Sequence, residues 1–291
     1  MSSIALPNLP TAAAPTRRAW LTPWQAWGLA LLLPYLVIFL FFVVYPVGYG
    51  FWLARNPASY AKLIDDPIFL RAIVNTLVFL VVAINIKMAV ALFLSGFFTH
   101  DRLWVRWLSV IFILPWAVPS IPTILSFRFM LNPEWGIVNQ IWFRWTTEDG
   151  PNWLNDPTLA LSLAMVVHIW KSLPFWTLIM IAGRLAISAD LYEAASVDGA
   201  SKRQKFMHVT WPSMRTLYVT CTILSMIWTL GDFNSVYLLT GGGPADLTHV
   251  LATLGIRYLR LDQVDMSMAA IVCALPIVIP LAAFMMTRLS K

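Results

Sequence analysis

The sequence predicts an all-α, polytopic membrane protein with six transmembrane helices and one polar helical hairpin between the fourth and fifth. Three observations lead there. Hydrophobic residues make up 59% of the 291 positions and charged ones 12%, roughly half the charged share of an ordinary soluble domain. Apolar stretches fall at Trp27–Leu53, Ala72–Phe98, Leu103–Leu131, Leu159–Ala182, Leu217–Leu239 and Met266–Met286. At about 1.5 Å per residue each can cross a hydrocarbon core of about 30 Å. Against this background residues 193–212 form a charged island within a loop of residues 188–215. Lipid offers the backbone no hydrogen-bond partner, so spanning segments are helices or closed barrels, and the sequence lacks the alternating segments of about ten residues that a barrel needs.

Taken in order, residues 1–26 read as a cytoplasmic N-terminal arm and residues 27–291 as the six-helix domain. The arm carries Arg17, Arg18 and several prolines but no short apolar run ending at a small-residue cleavage site, so it is not expected to be a signal peptide. Trp20, Trp24 and Trp27 mark the inner edge of the first span, Trp104 and Trp107 that of the third, and Trp135, Trp142, Trp145 and Trp153 gather in the long outer loop. Amphipathic rings favour the headgroup zone. Within that loop Ile137, Val138, Ile141, Trp142 and Trp145 recur at helical spacing, which predicts a short helix lying on the membrane surface.

Basic residues set the orientation. With the N-terminus inside, Arg17, Arg18, Arg102, Arg106, Arg184, Lys202, Arg203, Lys205, Arg215, Arg288 and Lys291 fall in the cytoplasm, and outnumber Arg55, Lys62, Arg71, Arg128, Arg144, Arg257 and Arg260 outside. Both termini and the hairpin are then cytoplasmic. This asymmetry accounts for the net charge of +6 without a nucleic-acid partner. Cys221 and Cys273 both lie in spans, which suggests neither a disulfide framework nor a metal cluster.

Local chemistry explains the hairpin. Asp190 with Glu193 has capping-box spacing, Ala194 and Ala195 favour helix and leave a thin surface, and Gly199 offers a left-handed stop. Ser201 with Gln204 repeats the cap spacing, and Pro212 is expected to interrupt the second arm before the fifth span. The segment resembles the cytoplasmic coupling loop of permease subunits from binding-protein-dependent ATP-binding-cassette importers, whose form is E-A-A, three residues, G, nine residues, I-x-L-P. Glu193, Ala194, Ala195, Gly199, Val209, Trp211 and Pro212 occupy those places, with Val for Ile at 209 and Trp for Leu at 211. A solvated inter-helix loop with good caps is the plainer alternative.

The resemblance implies a bacterial inner-membrane permease of the carbohydrate uptake family. It would work with a second, different permease subunit, two cytoplasmic ATP-binding subunits and an extracytoplasmic solute-binding protein. In that family the loop inserts into a groove of the ATPase. Glu193 would then offer a charge, Ala194 and Ala195 the contact surface and Gly199 the bend, with Asp198 beside it. The chain itself would need no cofactor, ATP and magnesium being bound by the partner ATPase. A second likeness lies in Leu239-Thr240-Gly241-Gly242-Gly243-Pro244, then Thr248 and a helical stretch from His249 to Leu259. By resemblance this region faces the binding protein; its glycines mark a helix exit, not a phosphate cradle. Weaker echoes run through Asn75-Thr76, Trp170-Lys171-x-x-Pro174-Phe175 and Asp232-Phe233.

A transport path has to use the residues that are costly in lipid. Lys87, Lys171 and Asp232 lie within spans and should face a cavity or a partner. Asp232 and Arg128 fall at similar depth and are expected to approach one another, whereas Lys87 should snorkel or pair with backbone carbonyls. Pro115, Pro119 and Pro122 leave the carbonyls of Ile111, Pro115 and Val118 without their usual donors, and unwound backbone at depth belongs beside protein or a watery cavity. Trp116, Trp170, Trp228, Phe233 and Tyr237 offer faces for a sugar ring, with Asn75, Asp232 and Asn234 for its hydroxyls; the same residues also suit packed helix interiors. The expected function is the permease subunit of an ATP-driven importer of a sugar, polyol or glycerol ester. There is no Walker motif and no nucleophile with a base, and His100, His168, His208 and His249 are scattered, which argues against a membrane-embedded enzyme. An ion-gradient-driven secondary transporter is the alternative.

Overall fold

The computed structural model describes residues 22–289, so Arg17, Arg18, Trp20 and Lys291 lie outside the described residues. All regular structure among the described residues is helical: α1 (Pro23–Leu53), α2 (Pro57–Asp65), α3 (Pro67–Phe98), α4 (Leu103–Ala117), α5 (Ser120–Met130), α6 (Ile137–Thr146), α7 (Pro157–Leu185), α8 (Ala189–Val197), α9 (Lys202–Leu230), α10 (Asn234–Thr240), α11 (Leu251–Arg260), α12 (Val264–Val272) and α13 (Leu275–Leu289). The chain falls into two compact units, residues 1–50 and 51–291.

Four helices begin on the same dipeptide logic. Thr22, Asn56, Asp66 and Asp156 cap α1, α2, α3 and α7 by accepting from the amides of Gln25, Ala58, Ile68 and Leu159, and each is followed by proline. Proline at the first helical position gives up an N–H that has no intrahelical partner anyway. α1 starts at Pro23, four residues before the apolar stretch that begins at Trp27.

Among the described residues four helices are long and apolar enough to cross a membrane: Pro23–Leu53, Pro67–Phe98, Pro157–Leu185 and Val264–Thr287. Two further candidates are bent pairs, α4 with α5 at 94° and α9 with α10 at 44°, and counting each pair as one span gives six. The third stretch is therefore not the single rod expected over Leu103–Leu131. Its break falls at Val118 and Pro119, where Pro119 and Pro122 cannot donate to the carbonyls of Pro115 and Val118. The fifth stretch breaks at residues 231–233. Pro212 does not interrupt the hairpin's second arm: the chain widens into a π turn over Phe206–Thr210, including the carbonyl four residues before the proline, and continues as helix from Trp211. Pro46 stands in the same relation to the π turn at Leu40–Val44 in α1.

The larger unit has α7 at its centre. One core cluster joins Ile84 and Met88 of α3 to Trp176 and Met180 of α7 and Met214 and Cys221 of α9. A second joins Phe79 and Ala83 of α3 to Ile124 of α5, Ala164 and Val167 of α7, and Val236 and Leu239 of α10. A third packs Leu63, Phe69 and Ala72 against Leu251, Leu254 and Tyr258 of α11 and Ala269 and Ala270 of α12. A short helix is present where the sequence predicted one, α6, with Ile137, Ile141, Trp142 and Trp145 exposed.

Candidate functional site

The hairpin is built by its caps. Ser188, not Asp190, caps α8: its hydroxyl accepts from the Asp190 amide, and Asp190 instead places a carboxylate in the first turn, where the helix dipole favours it. Gly199 takes a left-handed φ of 73° and closes a Schellman stop, in which the Ala200 amide reaches the Ala195 carbonyl at 2.9 Å and the Gly199 amide the Ser196 carbonyl at 3.1 Å. Ser201 and Gln204 form the expected reciprocal cap. Tyr192 to Thr210 and Lys205 to Ser196 tie the two arms together, at 2.8 and 2.5 Å. Glu193, Ala194, Asp198 and Gly199 are exposed and Ala195 is half-buried. Beside them Val197 is 89% and Leu191 51% exposed, an apolar surface on an otherwise polar elbow.

Both broken helices are anchored to one face of α7. Lys171 Nζ donates to the carbonyls of Pro115 and Val118 at 2.9 and 2.6 Å, the two acceptors that Pro119 and Pro122 leave free. Three residues earlier, His168 Nδ1 meets Asp232 Oδ2 at 2.7 Å in the break between α9 and α10, and its Nε2 meets Lys87 Nζ of α3 at 3.0 Å. An ammonium only donates and a carboxylate only accepts, so the imidazole between them carries its proton on Nδ1 and receives Lys87 on Nε2. Asp232 also accepts from the amide and hydroxyl of Ser235. Lys87 is 1% exposed, so the pair Lys87 and Asp232, bridged by a neutral histidine, satisfies two charges that would otherwise be costly at this depth.

These residues floor an inner cleft of about 240 Å³, lined also by Ser120, Ser225, Trp228 and Asn234. The Trp228 ring stacks on Phe175 at 5.4 Å and Phe175 on Trp116 at 5.6 Å, an aromatic ladder whose Trp228 end is 55% exposed. Ser225 is fully buried and its hydroxyl has no hydrogen-bond partner. A buried hydroxyl left unpaired costs about 1–3 kcal/mol, and this one borders the cleft.

An outer cleft of about 510 Å³ lies between the C-terminal ends of α5 and α10 and the loop beyond, lined by Arg128, Tyr237, Gly241, Asp246 and Arg260 among others. The loop leaves α10 through left-handed Gly241 and Gly242, at φ 65° and 90°. Asn75 Nδ2 donates to the carbonyls of Leu247 and His249, at 2.8 and 2.9 Å, and the Thr76 hydroxyl accepts from the Leu251 amide. Arg257 joins Asp246 to Asp66, each at 3.0 Å, and Tyr258 donates to Asp66. Burial pushes the Asp66 carboxyl up, but the Ile68 amide, the Tyr258 hydroxyl and the Arg257 charge outweigh it and hold the group below the usual carboxylate range. Burial pulls His249 below the ordinary histidine value despite Asp246 beside it.

Of the residues that the sequence offered for a path, Lys171, Trp228, Asp232 and Asn234 meet in the inner cleft. Arg128 and Tyr237 line the outer one, Trp116 extends the ladder, and Phe233 stacks on Tyr237 at 4.4 Å. Asn75 is 3% exposed and spent on the loop, so it lines neither cleft. Asp232 pairs with His168 and not with Arg128, which makes no ion pair among the described residues. Lys87 neither snorkels nor binds backbone; it finds His168. His168, Ser225 and His249 were not singled out by sequence.

The family model described as the binding-protein-dependent transport system inner membrane component matches residues 87–291. This chain belongs to that family. It is 31% identical over 251 residues to the trehalose/maltose transport system permease protein MalF of Thermococcus litoralis, covering 81% of this chain and 84% of that one. To the sulfoquinovosyl glycerol transport system permease protein SmoG of Agrobacterium fabrum it is 34% identical over 196 residues, 67% of this chain and 63% of that one. The fold is similar to a chain of the bacterial alginate ABC transporter solved in complex with an alginate pentasaccharide-bound periplasmic protein, with a TM-score of 0.77 over 89% of this chain and 92% of that one at 24% identity.

The protein is thus an inner-membrane permease subunit of an ATP-driven importer, a non-catalytic component that works with a solute-binding protein. The matched region of this permease begins at Lys87, so it takes in the hairpin, the His168 and Lys171 anchors and both clefts, apart from the Asn75, Thr76 and Asp66 contacts to the loop.

Proposed function

We propose that this permease moves a sugar or related polyol through the inner cleft, driven from the hairpin. The cleft carries the reading: its lining combines the exposed ring of Trp228, backed by the stack of Phe175 and Trp116, with the buried, unpartnered Ser225 hydroxyl and the amide of Asn234. A sugar presents an apolar ring face and a rim of hydroxyls, which is the complement of such a wall. The relatives named for trehalose, maltose and sulfoquinovosyl glycerol support the class. At about 240 Å³ the cleft lies just under the roughly 300–1,000 Å³ of ordinary ligand pockets, so it suits a weakly held solute in passage.

The hairpin is the contact for a cytoplasmic ATPase, through Glu193, Ala194, Ala195, Asp198 and Gly199. Its support is the exposed Val197 and Leu191 on a capped elbow and the match to the coupling-loop pattern. Two ATP-binding subunits and a second permease chain complete the assembly, ATP and magnesium being held by the ATPase. Both termini lie in the cytoplasm, residues 27–291 form the transport domain, and residues 188–215 form its coupling loop. Closure of the ATPase pair would push the hairpin and rock the spans from inward-open to outward-open.

Two variants test this. Glu193→Lys should reach the membrane at normal levels yet lose co-purification of the ATPase and ATP-dependent uptake. Trp228→Ala should keep the ATPase bound and lose uptake. Normal sugar uptake by both proteins would defeat the proposal, and so would uptake that collapses with the proton gradient while ATP is intact.

A further inference from the structure

The cations facing the two clefts are not balanced by anions. In the inner cleft Lys87 and Asp232 neutralise one another through His168. Lys171 has no acidic partner among the described residues; two of its three N–H groups go to Pro115 and Val118, and the third is left to face the cleft that its side chain lines. In the outer cleft Asp246 is committed to Arg257 and His249. Arg260 donates to the Tyr237 hydroxyl, which is neutral, and Arg128 makes no ion pair among the described residues. Glu134 shares a neighbouring recess with Arg128 but does not pair with it.

The clefts lie along one pair of helices. α5 and α10 pack side by side, with Ser120, Asn234 and Ser235 at their starts bordering the inner cleft and Arg128 and Tyr237 near their ends bordering the outer one. Arg128 at the end of α5 and Arg260 at the end of α11 border the outer cleft and Lys171 of α7 the inner one, three cations with no carboxylate partner among the described residues. A neutral solute would gain nothing from their charge, whereas Arg128 and Arg260, both exposed, would attract an anion at the outer cleft. Ser225, buried and unpartnered beside Lys171's cleft, adds a hydroxyl donor for an oxyanion.

We infer that the solute is an acidic sugar derivative, one bearing a carboxylate, sulfonate or phosphate, and that Arg128 and Arg260 draw it in while Lys171 receives it. This rests on the reading of the inner cleft as a sugar path. The charges act by attraction along a partly solvated mouth, where like-signed residues raise the local concentration of an opposite ion.

The test compares uptake by membranes carrying the complete importer with its binding protein, using labelled hexuronate and sulfonated-hexose glycosides beside neutral hexose glycosides of the same size. Wild type should favour an acidic probe, and the double variant Arg128→Gln, Arg260→Gln should lower that acidic uptake about tenfold while leaving neutral uptake unchanged. Arg128 has no partner to lose, glutamine at 260 keeps a donor for Tyr237, and the binding protein is common to both proteins, so its own selectivity cancels in the ratio. Raised salt should shrink the wild-type preference in the same way. A wild type that takes neutral probes equally well or better overturns the inference and leaves the sugar reading standing. An equal fall for acidic and neutral probes assigns the arginines to docking the binding protein and overturns it too. Uptake of no sugar of either kind overturns both.

Discussion

Replacing Asp232 by asparagine removes the counter-charge of an ammonium that is only 1% exposed and whose remaining partner is a neutral imidazole. Breaking a buried pair from one side costs about 3–5 kcal/mol, and the introduced side chain also brings an amide up to the Nδ1–H of His168. The opposite substitution is milder. Lys87→Met leaves a carboxylate whose side chain is 20% exposed and still accepts from His168 and Ser235, a loss of about 1–2 kcal/mol. The double variant carries no buried charge, so its cost should be about 2 kcal/mol, leaving a coupling of about 3 kcal/mol against the sum of the singles. Unfolding of the purified, detergent-solubilised importer by denaturant, followed for the four proteins, gives this cycle directly. Additive losses within about 0.5 kcal/mol would refute the bridged pair, as would Lys87→Met proving the more damaging single change.

Gly199→Ala meets no neighbour within 4 Å but has to hold φ at 73°, which costs about 1–2 kcal/mol; weaker ATPase co-purification with unchanged membrane levels should follow, and Gly199→Pro should be worse. Lys171→Met strands the carbonyls of Pro115 and Val118 and should destabilise by about 1–3 kcal/mol, with faster hydrogen exchange confined to residues 115–122 as the local readout. Acid should loosen the loop over residues 241–250. Its His249 is held below the ordinary value, so stability is lost as pH falls through about 6.5 and the unfolded state takes the proton first. Asp66, held below the usual carboxylate range, follows when pH falls through its own lower value and Arg257 loses that partner. Hydrogen exchange across the loop against pH checks both steps, and Asp66→Asn should abolish the second.

The long apolar helices, the short helix α6 and the hairpin were legible because each rests on local rules: length of apolar run, helical period, cap spacing. Gly199 and the Ser201 with Gln204 cap were legible for the same reason. Ser188 was not, since Asp190 stands at capping-box distance from Glu193 and only the helix start distinguishes the two. The prolines announced freed carbonyls at 115 and 118, and Lys171 was in view as a costly cation, but nothing local says that one serves the other across 53 and 56 residues. His168 was missed because histidines were weighed as a possible cluster in sequence; its signal was its place three residues before Lys171, on the same helical face. Arg128 was matched to Asp232 by depth alone, and depth leaves the azimuth of each helix open.

The two ends of this architecture are physically continuous. α7 runs to Leu185 and, after three residues, into α8 of the hairpin, while the hairpin's second arm is the start of α9. α7 and α9 therefore meet at the hairpin, where Tyr192 bonds Thr210, and again at the cleft, where His168 bonds Asp232. About 20 residues of helix at 1.5 Å each separate these contacts, so the pair forms a closed frame about 30 Å long. A push on the hairpin cannot move one long side of that frame without the other unless a tie breaks. His168 and Lys171 fix the break points of α9–α10 and α4–α5 to the same side of it, and α5 and α10 are the walls of both clefts. The unwound segments that lipid would not tolerate alone are thus the places where the frame grips the path. Their polar partners, His168 and Lys171, both sit on α7, the helix that runs from the cleft to the start of the hairpin.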